Sequence, residues 1–178
     1  MPTTPFVPQG IGQFTGWESV TGAAFAWQAL DDSLDATHDG DASYVVLPRL
    51  SGSAGIMSFP VFLMAHGLNP TSITVRVAGK IDNVAPEVEI GFARGGLTAF
   101  HGTTWTPTAS HAATTRAFTT NPLTSAAWEP DDIIGLEVCL KSVLFVVGKT
   151  RVTLLNGSID WYAETTSGFF ESGGEVLA

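Results

Sequence analysis

Charge is scarce in this chain. Only 14% of its 178 residues are Asp, Glu, Lys or Arg, against roughly a quarter in an ordinary soluble domain. Basic charge is scarcer still. Eight Lys and Arg stand against 17 Asp and Glu, giving a net charge of −9 and a pI near 4.6. The eight are scattered, and phosphate neutralisation needs clustered cations, which argues against a nucleic-acid-binding role. Cysteine occurs once, at Cys139, which rules out an intrachain disulfide and leaves the redox compartment open. A lone thiol inside an apolar strand reads as a small hydrophobe. No apolar run approaches about 18 residues, so no membrane-spanning helix is expected. Met1 is followed by Pro-Thr-Thr-Pro, without the basic region or apolar run of a signal peptide. Also missing are a Gly-x-Ser-x-Gly elbow and a phosphate loop, since Arg94-Gly95-Gly96 lacks the Lys and the following helix. The expectation is a protein that is not an enzyme and holds no cofactor.

What is present is strand material. The apolar fraction is 44%, ample for one core at this length. Residues 72–80 alternate, with Ile73, Val75 and Val77 against Thr74, Arg76 and Ala78. Residues 87–93 repeat the pattern with Val88, Ile90 and Phe92. Further strands are expected at 24–30, at 43–50 with Pro48 pushing toward an edge or a strand end, at 56–64, and at 110–120 with Phe118 inward. Turn signals fall about every ten residues and helical periodicity persists nowhere, so the fold class is all-β: an antiparallel β-sandwich, jelly-roll-like.

The stretch 121–162 holds the clearest local chemistry. Asn121-Pro122 signals a turn, and Pro130, Asp131 and Asp132 suit the first turn of a short helix that Gly135 ends. Trp128 is expected to plug one end of the core, as are Trp17 and Trp27. Residues 136–147 and 150–162 read as a hairpin-like pair, with a bulge expected at Leu155-Asn156-Gly157.

The termini differ from the middle. Residues 1–16 carry Pro2, Pro5 and Pro8, which forbid a regular helix. Their Phe6, Val7, Ile11 and Phe14 are too apolar for a free tail, so they read as an extended N-terminal arm lying on its own domain or on a neighbour. Residues 17–162 form the β-sandwich domain. Residues 163–178 read as a flexible Gly/Ser-rich C-terminal tail, yet Phe169, Phe170, Val176 and Leu177 favour docking on a partner, since a large apolar side chain gains roughly 1.5–3 kcal/mol when buried.

Four groups of residues invite a chemical reading. Five aspartates fall within 31–41, and hard cations want several carboxylates. Asp31, Asp35, Asp39 and Asp41 are weak calcium candidates, for EF-hand spacing is absent and an Asx turn accounts for Asp39-Gly40. Four histidines, His38, His66, His101 and His111, sit apart, with no partner at zinc-ligand spacing. Glu87, Glu89 and Glu137 are conceivable as paired carboxylates for glycoside chemistry, against the commoner reading of a solvated strand face. Finally, Trp105 in Gly-Thr-Thr-Trp-Thr-Pro-Thr is the ring best placed for exposure, and an exposed ring of that kind stacks on sugar faces. A carbohydrate-binding β-sandwich is therefore one functional reading.

A second comes from resemblance. Asn121, Pro122, Thr124, Trp128, Asp132, Ile133, Leu136, Glu137, Arg151, Val152, Thr153, Asp160 and Tyr162, with Trp27, Asp39-Gly40-Asp41 and Ser43-Tyr44-Val45 upstream, follow a pattern that resembles virion structural proteins of tailed bacteriophages. Ser125 and Cys139 stand where that pattern usually has Gly, so it does not fix those two turns. The resemblance implies a jelly-roll-like capsid decoration or auxiliary protein, or a tail or neck component, located in the virion. Its implied partners are the major capsid protein, other virion proteins and further copies of itself, with both termini as contact segments.

Overall fold

The alternating runs become strands, and the residues marked as inward point inward. The computed structural model describes residues 2–30, 42–47, 56–60, 68–83, 87–143 and 149–163. Its strands are β1 (Thr3–Phe6), β2 (Ser19–Thr21), β3 (Tyr44–Leu47), β4 (Ile56–Pro60), β5 (Leu68–Asp82), β6 (Val88–Arg94), β7 (Leu97–Trp105), β8 (Ala112–Phe118), β9 (Glu137–Ser142) and β10 (Lys149–Ala163). A 3₁₀ turn covers Ala26–Ala29, and one short helix, α1, covers Pro130–Ile133. One sheet runs β2-β3-β10-β5-β8, with β1 also on β10; the other runs β4-β9-β6-β7. All named pairings are antiparallel. Every connection after β3 except the β6–β7 hairpin changes sheet, as in jelly rolls. The protein is an antiparallel β-sandwich.

The core lies between the sheets. Ile73, Val75 and Val77 of β5 face Val88, Ile90 and Phe92 of β6, with Val138 and Leu140 of β9 and Phe118 of β8, all buried. Trp128 closes one end. It is 4% exposed, meets Phe92 edge-on at 5.4 Å between ring centroids, and its indole N–H donates to the Phe118 carbonyl at 2.8 Å. That bond satisfies the polar tip of a buried Trp. Trp17 and Trp27 pack half-buried against the same core. Pro130 starts α1, Asp131 and Asp132 fill its first turn, and Gly135 leaves it at φ +69°, as the sequence chemistry predicts.

Several expectations are corrected. The strands of 136–147 and 150–162 do not pair with each other: β9 lies between β4 and β6, while β10 lies between β5 and β3. β9 is buried on both faces, as is β10 over 152–157, so each fits the middle of a sheet, and chain adjacency does not decide pairing where connections cross sheets. The bulge is not at Leu155-Asn156-Gly157. Register shifts fall between Val152 and Leu154, leaving Thr153 extra, and between Asp160 and Trp161. Val152 therefore faces the core before the shift, and Leu155 and Ile159 after it. The strand expected at 24–30 is the 3₁₀ turn, whose following Leu30 accepts a bond from the Leu155 amide. β3 lies between β2 and β10, not at an edge, and it ends at Leu47, directly before Pro48; Pro48 itself is outside the described residues.

Of the two surfaces expected for it, the N-terminal arm lies on its own domain. β1 pairs with β10 from Thr3 opposite Asp160 to Phe6 opposite Gly157. Residues 12–14 then reach the other sheet: the Gly12 amide donates to the Ser58 carbonyl at 3.1 Å, and the Ser58 amide to that of Phe14 at 3.0 Å. Residues 2–14 thus form a strap across both sheets and belong to the domain. Phe6 is 5% exposed in the chain's own core, which removes it as a partner contact. Val7 and Phe14 are half-buried, and Phe14 rests on Ala93 and Cys139. Of the four proposed arm contacts, Ile11 alone is as much as half exposed. Phe169, Phe170, Val176 and Leu177 lie outside the described residues.

Candidate functional site

Three turns meet at one end of the sandwich. The first is the β6–β7 hairpin, where Gly95 and Gly96 take φ of +57° and +84°. Two successive left-handed residues make the tight turn that suits twisted strands, and glycine adopts it without strain. It presents Arg94 on one side and Leu97, 68% exposed, on the other. The second turn is 121–126. Buried Asn121 organises it: its side-chain oxygen accepts from the Leu123 amide at 2.9 Å, its carbonyl from the Ser125 amide at 2.7 Å, and its own amide donates to the Ala126 carbonyl at 2.8 Å. Ser125 has φ +60°, a conformation that favours glycine. The third element is α1, where one Asp132 oxygen accepts from the Glu129 amide at 3.0 Å and caps the helix.

These elements enclose a cleft of about 310 Å³ lined by Arg94, Gly95, Leu97, Asn121, Leu123, Thr124 and Asp132. Arg94 bridges two walls, its guanidinium donating to the other Asp132 oxygen at 3.3 Å. The cleft therefore joins one cation and one anion, already paired, to a hydroxyl, a carboxamide and two leucines. It is near neutral, and its size falls at the low end of small-molecule sites, roughly 300–1,000 Å³.

A second polar cluster lies under the strap. The buried Glu137 carboxylate accepts from the Gln13 amide at 2.8 Å and from the Ser58 hydroxyl. The Phe14 amide donates to the Ser58 hydroxyl oxygen at 3.0 Å. Beside it, burial chiefly, with the Glu137 charge, pushes the Cys139 thiol far above its ordinary range. This cluster is closed over by the strap and is structural. From there the Gln13 side chain reaches out, and its oxygen accepts from the Gly96 amide at 2.6 Å.

The residues singled out from sequence fall as follows. Trp105 is 7% exposed and packed in the core, so it is no stacking platform. It pairs across from inward Val88, and cross-strand partners share a face. Glu137 does not sit across from Glu89, which instead pairs with Lys141 at 3.1 Å. Asp31, Asp35, Asp39, Asp41, His38 and His66 lie outside the described residues. Among the described residues no cluster of three His, Cys, Asp or Glu forms a metal site. Asn121, Thr124 and Asp132 are drawn together, as members of the 121–162 pattern. Arg94, Leu97 and Leu123 were missed; the Gly95-Gly96 signal locates the hairpin but not what faces it.

No protein-family model matches the chain, and no curated protein matches it. Among solved structures, the N-terminal cellulose-binding domain of Cellulomonas fimi β-1,4-glucanase C is 16% identical, covering 88% of this chain and 97% of that one at a TM-score of 0.41. The cyclase Fisc from Fischerella sp. TAU is 11% identical, covering 89% and 84% at 0.41. The CBM1 module of BiXyn10A is 11% identical, covering 60% and 74% at 0.35. At these scores the likeness carries no functional weight, and the reading below rests on the cleft.

Proposed function

We propose that this chain is a non-catalytic β-sandwich module that binds carbohydrate in the cleft between the β6–β7 turn, the 121–126 turn and α1. The observation that carries the reading is the cleft's lining. A carbohydrate is neutral, dense in hydroxyls, and apolar on its C–H faces. Leu97 and Leu123 offer an apolar wall. Asp132 is an acceptor and Arg94 a donor, and the hydroxyl of Thr124 is either. The paired charges leave no surplus for an anion, and the chain's net −9 opposes one. The walls are short turns on a rigid sheet framework, which limits the ordering cost of binding.

The test is a glycan array followed by titration with cellohexaose and maltohexaose, neutral glucose oligomers of different linkage. Asp132→Asn keeps an oxygen to cap α1 while removing the charge opposite Arg94. It is expected to weaken binding about 10-fold or more, as for hydrogen bonds to charged groups. Wild-type silence across the array, or unchanged binding by Asp132→Asn and Arg94→Ala together, rejects the reading.

A second reading follows the resemblance to phage virion proteins. The low charge of 14% and the apolar residues at 169, 170, 176 and 177 support it, since assembly contacts favour uncharged surfaces. In that reading the tail docks on the major capsid protein or another copy. Density-gradient sedimentation of particles separates the two: co-migration with the shell at comparable copy number supports a decoration protein, a few copies a tail or neck part, and a free chain neither.

A further inference from the structure

We infer that Gln13 is a positioning residue for the cleft, through which the N-terminal strap sets the geometry of the cleft's β6–β7 wall. This rests on the cleft being the binding site.

The wall is intrinsically loose. Gly95 and Gly96 have the widest conformational freedom of any residue type, and nothing lies within 4 Å of where a Cβ would stand on either. Side-chain packing therefore does not hold the turn. The Gln13 oxygen does contact it, accepting from the Gly96 amide at 2.6 Å. That amide belongs to the residue between Gly95 and Leu97, both of which line the cleft.

Gln13 is suited to this because its own backbone is fixed. Its amide is held by Glu137. The preceding Gly12 sits so close to Ser58 and Glu137 that a Cβ would overlap both. The amide of Gly12 and the carbonyl of Phe14 bond to the backbone of Ser58. A short, anchored base thus carries a side chain to the one wall of the cleft that lacks packing. The other two walls hold themselves, through the Asn121 bonds and the Asp132 cap.

The experiment follows Gly96 amide hydrogen exchange by NMR on the full chain without ligand, and titrates the same samples with cellohexaose and maltohexaose. Gln13→Ala is expected to speed Gly96 exchange and to weaken oligosaccharide binding about 2- to 12-fold, the equivalent of one net hydrogen bond. Thermal stability should hardly change, because the side chain is exposed. Gln13→Glu keeps an acceptor oxygen and should restore both. Unchanged Gly96 exchange in Gln13→Ala overturns the inference. So does faster exchange with unchanged affinity, and in that case a loss of binding in Asp132→Asn shows that the cleft reading survives alone. Indifference of binding to Asp132→Asn and Arg94→Ala overturns the cleft reading, and the positioning role with it.

Discussion

Gly157→Ala tests whether the strap is part of this domain. Gly157 lies on β10 opposite Phe6 of β1 and Val75 of β5. A Cβ there would come within 2.9 Å of Phe6 Cε1, and closer still to Phe6 Cζ and the Thr74 carbonyl oxygen. Real Cβ atoms do not approach so closely, so both neighbours are strained: the Thr74 carbonyl of β5 and the Phe6 ring of β1. β5 is pinned between β10 and β8, so its part of the strain stays in the β5–β10 pairing; β1 has only β10 as a partner and should give way on the Phe6 side. Overpacking of this kind costs about 1–3 kcal/mol. Phe6→Ala alone should cost about 3–5 kcal/mol, as a buried aromatic reduced to methyl. In the double variant the ring is gone and only the Thr74 contact remains, so the two effects should fall short of additivity by about 1 kcal/mol or more. Urea unfolding of the four proteins measures this. Additivity within about 0.5 kcal/mol would show that Phe6 does not rest on Gly157, and would return residues 2–14 to a free arm.

Two further outcomes are expected from folding alone. Trp128→Phe keeps the ring against Phe92 but leaves the Phe118 carbonyl without its indole donor, and should lower stability by about 1–3 kcal/mol with a matching fall in Tm; no fall would mean that water replaces the bond. The buried Cys139 thiol is pushed up mainly by desolvation and then by Glu137. The unfolded chain releases that proton above about pH 8.5 while the folded chain keeps it, so stability should decline above that pH by up to about 1.4 kcal/mol per unit. Cys139→Ala removes the group and should flatten the slope; identical pH profiles for the two proteins would refute the assignment.

The sequence was most readable where one strand meets one core. On β5 and β6 the alternation named the inward residues, because a half-buried strand has a period of two. Pro130, Asp131, Asp132 and Gly135 named α1 because helix ends are governed by local groups. One cause of failure is that periodicity says which face a residue takes, but not which strand lies alongside. That is why β9 and β10 looked like partners, and why Trp105, in a loop-like run of Thr, Gly and Pro, read as exposed. The cleft was half legible. Asn121 and Asp132 could be recognised as turn and helix-start residues, but their meeting with Arg94 and Leu97 depends on sheet order. Ser125 shows a related limit, holding a left-handed turn that a resemblance built on Gly left open.

The strap changes how the chain's low charge is to be understood. An apolar, Pro-containing N-terminus beside a weakly charged domain looks like an assembly device. Yet β1 covers an edge of β10, and residues 12–14 cover the edge of β4 away from β9. Unpaired strand edges recruit other chains, so the strap's apolar residues work against assembly at those two places. Much of what read as partner-seeking is spent within the molecule, on Phe6 over Gly157 and on Phe14 over Cys139. On β8 the outward face carries small uncharged side chains, with Ala113, Thr115 and Ala117 all exposed. The same contacts that close the edges also carry Gln13 to the Gly96 amide. A chain that folded without docking residues 12–14 would therefore expose the β4 edge and at once leave the Gly95-Gly96 tip of the cleft's β6–β7 wall without its Gln13 contact, with Arg94–Asp132 as its remaining link to α1.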